Sequence, residues 1–315
     1  MRRFTLNPVL IALLLALGLF LLGGALRPGF LSAGLAINIL RLAAFLAIIA
    51  AGQTLVIISG GEGIDLSVGA VVTLGAIVVS RIVNGQDALV LPALLVALLV
   101  GLGVGAINGL GITLLRIPPL VMTLAMTGVI QGVILVITQG QLSGSAAPSM
   151  NRLVSGNLVA GVPGVVVLWL LLGVGMWVLL ERTPYGKQLF AIGVNRTTAW
   201  LSGVRVPVIV VLTYALSGML AALGGFILLG YTQNVFLNLG SPYTLPSIAA
   251  VVVGGTLIAG GVGSYWGTMA GALVLTVLTS LLTTLQLPES VRQIIYGATL
   301  LLLLSAYGRQ RSLRQ

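Results

Sequence analysis

Long apolar runs, separated by short polar or glycine-rich breaks, make up nearly all of this 315-residue chain. The first runs from Asn7 to Leu26 and ends at the turn Arg27-Pro28-Gly29-Phe30, and a second covers Leu35 to Ser59. A helix of about 20 apolar residues crosses a bilayer, so each run predicts a membrane span. Further spans are predicted over 64–83, 88–115, 120–138, 162–180 and 206–230, with 291–307 last. Between Ile248 and Ala272 paired glycines interrupt the pattern, which predicts two shorter helices in place of one, the second continuing to Leu285. The total is about ten spans with both termini on one side. This is the pattern of an all-α polytopic membrane protein, with residues 1–315 forming one transmembrane domain. The short alternating segments of a β-barrel are not seen.

The breaks and the polar residues within spans carry the candidate chemistry. Ser59 to Ala70 contains Gly60, Gly61, Gly63 and Gly69 with Asp65 and Ser67 among them. Backbone so rich in glycine predicts a non-helical segment buried in protein or beside water. Asp65 suits the start of the next helix, where its carboxylate would accept from free N–H groups, and a direct part in a transport path is the alternative. A second such break holds Gly254, Gly255, Gly260, Gly261 and Gly263. Gly101, Gly105 and Gly109 recur every fourth residue and predict a face for close helix packing, as do Gly218, Gly224 and Gly225 beside Ala221 and Ala222. The Gly-Leu-Gly-Val-Gly run at 101–105 imitates a dinucleotide fingerprint, but no βαβ unit surrounds it. Gln53, Asn108 and Gln131 are polar at membrane depth and are candidates for path lining, with a bond between helices the other reading for Asn108. Arg41 either anchors its helix among headgroups or meets substrate. The polar segment 139–161 is expected to be an external loop.

Composition narrows the function. Hydrophobic residues are 58% of the chain and charged ones 6%, with a formal net charge of +10. The basic residues lie at the ends of apolar runs and form no stripe, which argues against nucleic acid and for a membrane. Arg2, Arg3, Arg116, Arg182, Lys187, Arg196, Arg205, Arg309, Arg311 and Arg314 fall on one side of the predicted layout, and Arg27, Arg81, Arg152 and Arg292 on the other. Loops rich in Lys and Arg stay in the cytoplasm, so the first set is inner. The basic start and first apolar run imitate a signal peptide, but the run outlasts a signal's apolar region and lacks a cleavage pattern, so a retained span is expected. Without cysteine or histidine there is no disulfide, no thiolate chemistry and none of the usual metal ligand or general base. No metal or cofactor is expected. Acidic residues are limited to Glu62, Asp65, Asp87, Glu181 and Glu289, which counts against an ion-coupled secondary transporter. A phosphate-binding loop of the G-x-x-x-x-G-K-[ST] kind is missing, so the chain is not expected to be an enzyme and its energy must come from elsewhere.

The interior cluster of positive charge is Glu181 to Arg205, with Pro184 and Gly186 breaking the incoming helix and Lys187 to Leu201 predicted to resume as a surface helix. Alone it could be a membrane-surface helix with no partner. Its pattern resembles the cytoplasmic coupling loop of the permease subunits of ribose-type monosaccharide ABC importers, through Thr183, Gly186, Ala191, Gly193, Asn195, Ala199 and Gly203, with Pro184 and Lys187 beside them. The same family carries a G-G-I-D-L-S-V-G signature matched at 60–69, here with Glu62 and Gly63 inserted, and a glycine pattern matched at Gly254 to Thr268. The resemblance implies a permease domain of the cobalamin-importer type in the bacterial plasma (inner) membrane. It also implies pairing with ABC ATPase subunits, a second permease copy as homo- or heterodimer, and a periplasmic or extracellular sugar-binding protein. ATPase subunits would dock on 181–205, where Ala191 and Gly193 would allow close contact, and drive a pentose or hexose through by alternating access. A permease for branched-chain amino acids or nucleosides is the near alternative, against which the D-L-S-V-G match counts.

The layout is testable directly. A reporter fused after Arg314 is expected in the cytoplasm and one inserted near Ser149 outside, as charge asymmetry dictates; a cytoplasmic reporter at Ser149 would refute the span count.

Overall fold

The computed structural model describes residues 7–159, 161–288, 290–292, 294–295 and 297–298. Most of the expected last span and Arg2, Arg3, Arg309, Arg311 and Arg314 lie outside the described residues. The helices are α1 (Pro8–Leu26), α2 (Ala33–Ile58), α3 (Val68–Val83), α4 (Val90–Leu114), α5 (Pro119–Thr138), α6 (Pro148–Ser155), α7 (Gly164–Trp177), α8 (Pro184–Val194), α9 (Arg196–Leu201), α10 (Val206–Thr232), α11 (Thr244–Val253) and α12 (Tyr265–Thr284). A 3₁₀ turn, Asp87–Leu89, leads into α4, and a π turn, Val178–Arg182, extends α7. Two short antiparallel strands, β1 (Asn157–Val159) and β2 (Val162–Pro163), precede α7. Among the described residues seven helices are long and apolar enough to span a bilayer: α1, α2, α4, α5, α7 with its π extension to Arg182, α10 and α12. The apolar α3 and α11 are shorter.

Helices α2 and α10 are the buried centre, and α4 crosses α10 on the face that glycine spacing predicts. A Cβ at Gly101 would strike the Gly218 carbonyl, one at Gly105 the Tyr214 carbonyl, and one at Gly109 the Val211 backbone. Lipid tails are as apolar as leucine, so membrane helices associate through close van der Waals packing, and glycine lets two backbones touch. By contrast α1 lies outside against α12, burying Ala12, Ala16 and Gly23 while Leu13, Leu14, Leu17 and Leu21 face outward.

The two broken spans are the fold's distinctive feature. Helix α3 begins at Val68, later than the expected Ile64, because residues 59–67 are held by side-chain bonds outside any helix. Its sixteen residues rise about 24 Å, short of a bilayer. The other break runs from Gln233 through a 3₁₀ turn, Ser241–Tyr243, into α11. The two half-helices start side by side: Gly240 N–H donates to Thr73 Oγ1 at 2.9 Å, and Gly69 leaves no room for a Cβ against Gly240 and Thr244. The two pieces are thus bonded and packed against each other where α3 and α11 begin. At the opposite end from α8 and α9, residues 139–161 are more than a loop. They include α6, whose Met150 and Val154 bury against Gly230 of α10, and Ser149 N–H bonds Asp87 at 2.9 Å. Eight residues are too few for a periodic apolar signal.

These contacts predict opposite outcomes for two neighbouring glycines. Gly105→Ala forces α4 from α10 and is expected to cost about 1–3 kcal/mol, whereas Gly103, which has open space around it, should tolerate alanine and gain about 0.5–1 kcal/mol from the stiffer helix. Thermal unfolding of both variants in detergent micelles decides; equal shifts would refute the packing.

Candidate functional site

The candidate site is the α8–α9 pair and the glycine-rich segments it touches. Thr183 ends the π turn in extended conformation and caps α8, its Oγ1 accepting from Gly186 N–H at 3.2 Å, while Pro184 occupies the first helical position. The single surface helix expected over 187–201 is in fact two. Asn195 is extended, closes α8 and caps α9, its Oδ1 accepting from Thr198 N–H at 3.0 Å. An N-cap residue cannot continue the helix before it, so the chain turns there. Gly203, at φ +85°, ends α9. Gly186 packs on the Leu180 carbonyl, Leu189, Ile192 and Ala199 are buried, and Tyr185 bonds Thr213 of α10 at 2.9 Å. Burial pushes the Tyr185 hydroxyl up to about 12 against the opposing effect of Thr213, so it stays protonated. The outer surface of the pair presents Pro184, Lys187 and Ala191 with Val194, Trp200 and Leu201, which are 74%, 64% and 73% exposed.

Gly193 does not belong to that surface, which corrects the expectation that it makes room for a partner. A Cβ there would strike the Ile58 carbonyl and the Gly261 backbone of this same chain. Gly60, at φ +68°, lies against Gly193 and the Ala259 carbonyl, and Gly261 N–H donates to Ile58 O at 2.9 Å. Three backbones far apart in sequence therefore meet at one point: the end of α2, the end of α8 and the break before α12. Arg196 closes the junction, donating from Nη2 to Gly60 O at 3.1 Å with its guanidinium where a Gly61 Cβ would be. The remaining glycines of the two motifs serve close contacts nearby. Gly63 faces the Val56 carbonyl, Gly254 the Gly267 carbonyl, Gly255 meets Pro8, Gly260 rests on Gly60, and Gly263 meets Thr256.

Asp65 is buried at 1% exposure, but it is not the cap of α3. Ser67 holds the N-cap position, without a capping bond from its side chain. The Asp65 carboxylate accepts from Ser67 N–H at 3.0 Å, Ser67 Oγ at 2.6 Å and Ser217 Oγ of α10 at 2.9 Å. Hydroxyl and N–H donors offset the desolvation of a buried carboxylate. Gln53 clamps the Asp65 backbone, its Nε2 donating to Asp65 O and its Oε1 accepting from Asp65 N–H at 3.3 Å. Asn108 donates to Ser67 Oγ at 3.0 Å. Gln53 and Asn108 are both buried, and each bonds one element to another. Gln131 is exposed on α5, beside Gly128 and Gly132, which have nothing packed on them.

Sequence reasoning missed Ser217, Thr123 and Thr127. The two threonines bind the 64–66 backbone from α5, and their signal was an i, i+4 hydroxyl pair on one helix face. Ser217 precedes Gly218 on the small face of α10 and gave no separate sign.

Asparagine at Asp65 keeps an acceptor for Ser67 and offers its NH₂ to the Ser217 oxygen, so Asp65→Asn is expected to insert normally and unfold within about 1 kcal/mol of the native chain. Leucine strands three donors at about 1–3 kcal/mol each, so Asp65→Leu should lose membrane abundance. Quantitative immunoblots of membranes and thermal unfolding distinguish the two, and equal stability would remove the network from the fold.

The chain matches the family described as branched-chain amino acid transport system / permease component over residues 35–304. It is 36% identical over 291 residues to the ribose import permease of Bacillus subtilis, covering 91% of this chain and 89% of the relative. The autoinducer 2 import system permease of Yersinia enterocolitica is 34% identical over 300 residues, covering 95% and 82%. The ribose import permease of Escherichia coli K12 is 34% identical over 296 residues, covering 93% and 90%. No solved structure matches the chain. With a family match over most of its length and near full-length relatives, the chain belongs to the branched-chain amino acid transport system / permease component family, among its ribose-type ABC permeases, as a multi-pass protein of the bacterial inner membrane.

Proposed function

We propose that this chain is the membrane-spanning subunit of an ATP-driven, binding-protein-dependent importer that moves a pentose or hexose by alternating access. Two copies, or one copy and a homologous permease, pair with two ATPase subunits on the inner face and receive sugar from a binding protein outside. The observation that carries the reading is the two-sided α8–α9 pair. One side leaves Val194, Trp200 and Leu201 exposed beside Lys187 on the basic face of the membrane, and the other is fused to the chain's glycine junction. Large apolar residues clustered at a water-facing surface mark an interaction site, and aromatic anchors dominate such contacts. A docked partner that shifted the pair would move both broken spans with it. The exposed Gln131 supports α5 as path lining, since an amide facing lipid tails would have no hydrogen-bond partner. Sugar is supported by the ribose import permeases among the relatives. The 34% identity to an autoinducer 2 permease, the same as to the Escherichia coli ribose permease, favours a second reading, in which the cargo is that molecule.

Trp200→Asp is the test. The side chain is exposed, so the variant should insert at native levels, yet lose co-purified ATPase subunits and at least about 2 kcal/mol of docking, roughly thirtyfold in affinity. ATP-dependent uptake of radiolabelled ribose, or of autoinducer 2, into proteoliposomes containing the binding protein should fall with it. Unchanged co-purification and uptake would refute α8–α9 as the docking element, and uptake of one labelled cargo and not the other decides between the two readings.

A further inference from the structure

Residues 59–67 touch the α8–α9 pair at one end and α5 at the other. At the first end Arg196 Nη2 holds Gly60 O at 3.1 Å, its guanidinium fills the space beside Gly61, and Gly193 sits directly on Gly60. At the second, Leu66 N–H donates to Thr123 Oγ1 at 3.1 Å, the Thr123 hydroxyl proton is shared between Ile64 O at 3.3 Å and Pro119 O of its own helix at 2.9 Å, and the Thr127 hydroxyl proton is shared between Leu66 O at 3.2 Å and Thr123 O at 3.0 Å. The middle is pinned to the inner end of α2, where Gln53 binds both the N–H and the C=O of Asp65. A segment held at three points cannot stretch to absorb a displacement.

From these contacts we propose that 59–67 is the transmission element between the α8–α9 pair and α5, with Arg196 and Thr127 the positioning residues at its two ends. The inference rests on the docking role proposed for α8–α9 and adds what that role drives. Thr127 and Gln131 are one turn apart on α5, so a pull on Leu66 reaches the exposed polar position through a single turn of helix. The segment has no i→i−4 ladder of its own, so its backbone follows its attachments. A small shift of α8–α9 thereby becomes a rotation of α5. Thr127 lies in the middle of α5, outside the α8–α9 pair, and α5 is held by its own backbone ladder, so removing the hydroxyl leaves the helix itself in place.

The chain lacks cysteine, so Gln131→Cys gives a single label site. Its rate of reaction with a membrane-impermeant maleimide is measured in the transporter assembled with its ATPase subunits, with ADP and with ATP plus vanadate. We expect the two rates to differ about fivefold or more. Adding Thr127→Val or Arg196→Ala should bring them to within about twofold of parity, while Thr127→Ser, which keeps the hydroxyl, should preserve the difference. The double variant should be no worse than the more severe single one, because both break the same chain of contacts. Nucleotide-dependent labelling unaffected by Thr127→Val would overturn the proposal. So would a Gln131→Cys rate indifferent to nucleotide, or loss of co-purified ATPase in Thr127→Val, which would place Thr127 in docking instead of transmission. If the native chain binds no ATPase subunits, the docking role falls and this inference with it; if it binds them and Thr127→Val labels normally, only this inference falls.

Discussion

Backbone that leaves a helix inside a bilayer has no water to bond, and every N–H and C=O it frees must find a partner in protein. Much of this molecule answers that constraint at residues 59–67. Gln53 from α2, Thr123 and Thr127 from α5, and Arg196 from α9 bond the backbone from outside the segment, and the Asp65 carboxylate bonds it from within. Ser217 of α10 completes the carboxylate's set. Four helices are therefore placed relative to one another by the needs of one short stretch of irregular chain.

The second requirement is proximity. Membrane helices cannot rely on expulsion of water to bring them together, so contact must come from shape, and glycine gives the closest approach. Along α4 and α10 this is a helix-on-helix seam through Gly101, Gly105 and Gly218. Beside the α8–α9 pair it is a meeting of three turns, Gly60, Gly193 and Gly261, where a methyl group on any of them would strike backbone or leave no clearance. Such a point is stiff, because a backbone cannot rotate away as a side chain can. Glycines from each of the three patterns that resemble the family, separated in sequence, thus meet in a single contact.

The two half-helices show how irregularity is contained. Helices α3 and α11 start beside each other from opposite directions, and Thr73 accepts the Gly240 N–H where the second break would otherwise carry an orphan donor. A full-length helix could not place an N-terminus at that depth. The arrangement leaves α5, with its exposed Gln131, joined to the α8–α9 pair through 59–67.

Hydrophobic periodicity and length were enough to place the long apolar helices through α12 to within a few residues, to identify both glycine breaks and to mark Gly101, Gly105 and Gly109 as a packing face. These depend on local chemistry: the length of an apolar run, the spacing of small residues on a 3.6-residue turn, and the cost of a charge in lipid. What periodicity could not determine was which neighbour each small or polar residue meets. Gly193 reads in sequence as a place for a partner protein, yet it packs on Ile58 and Gly261 of its own chain. Asp65 reads as a helix cap, yet its partners are Ser67 and a serine 152 residues further on. Asn195 splits an expected single helix because its side chain caps the second half. These assignments belong to the tertiary structure because a backbone contact or hydrogen bond between distant residues has no period along the chain, and only packing brings its two sides together.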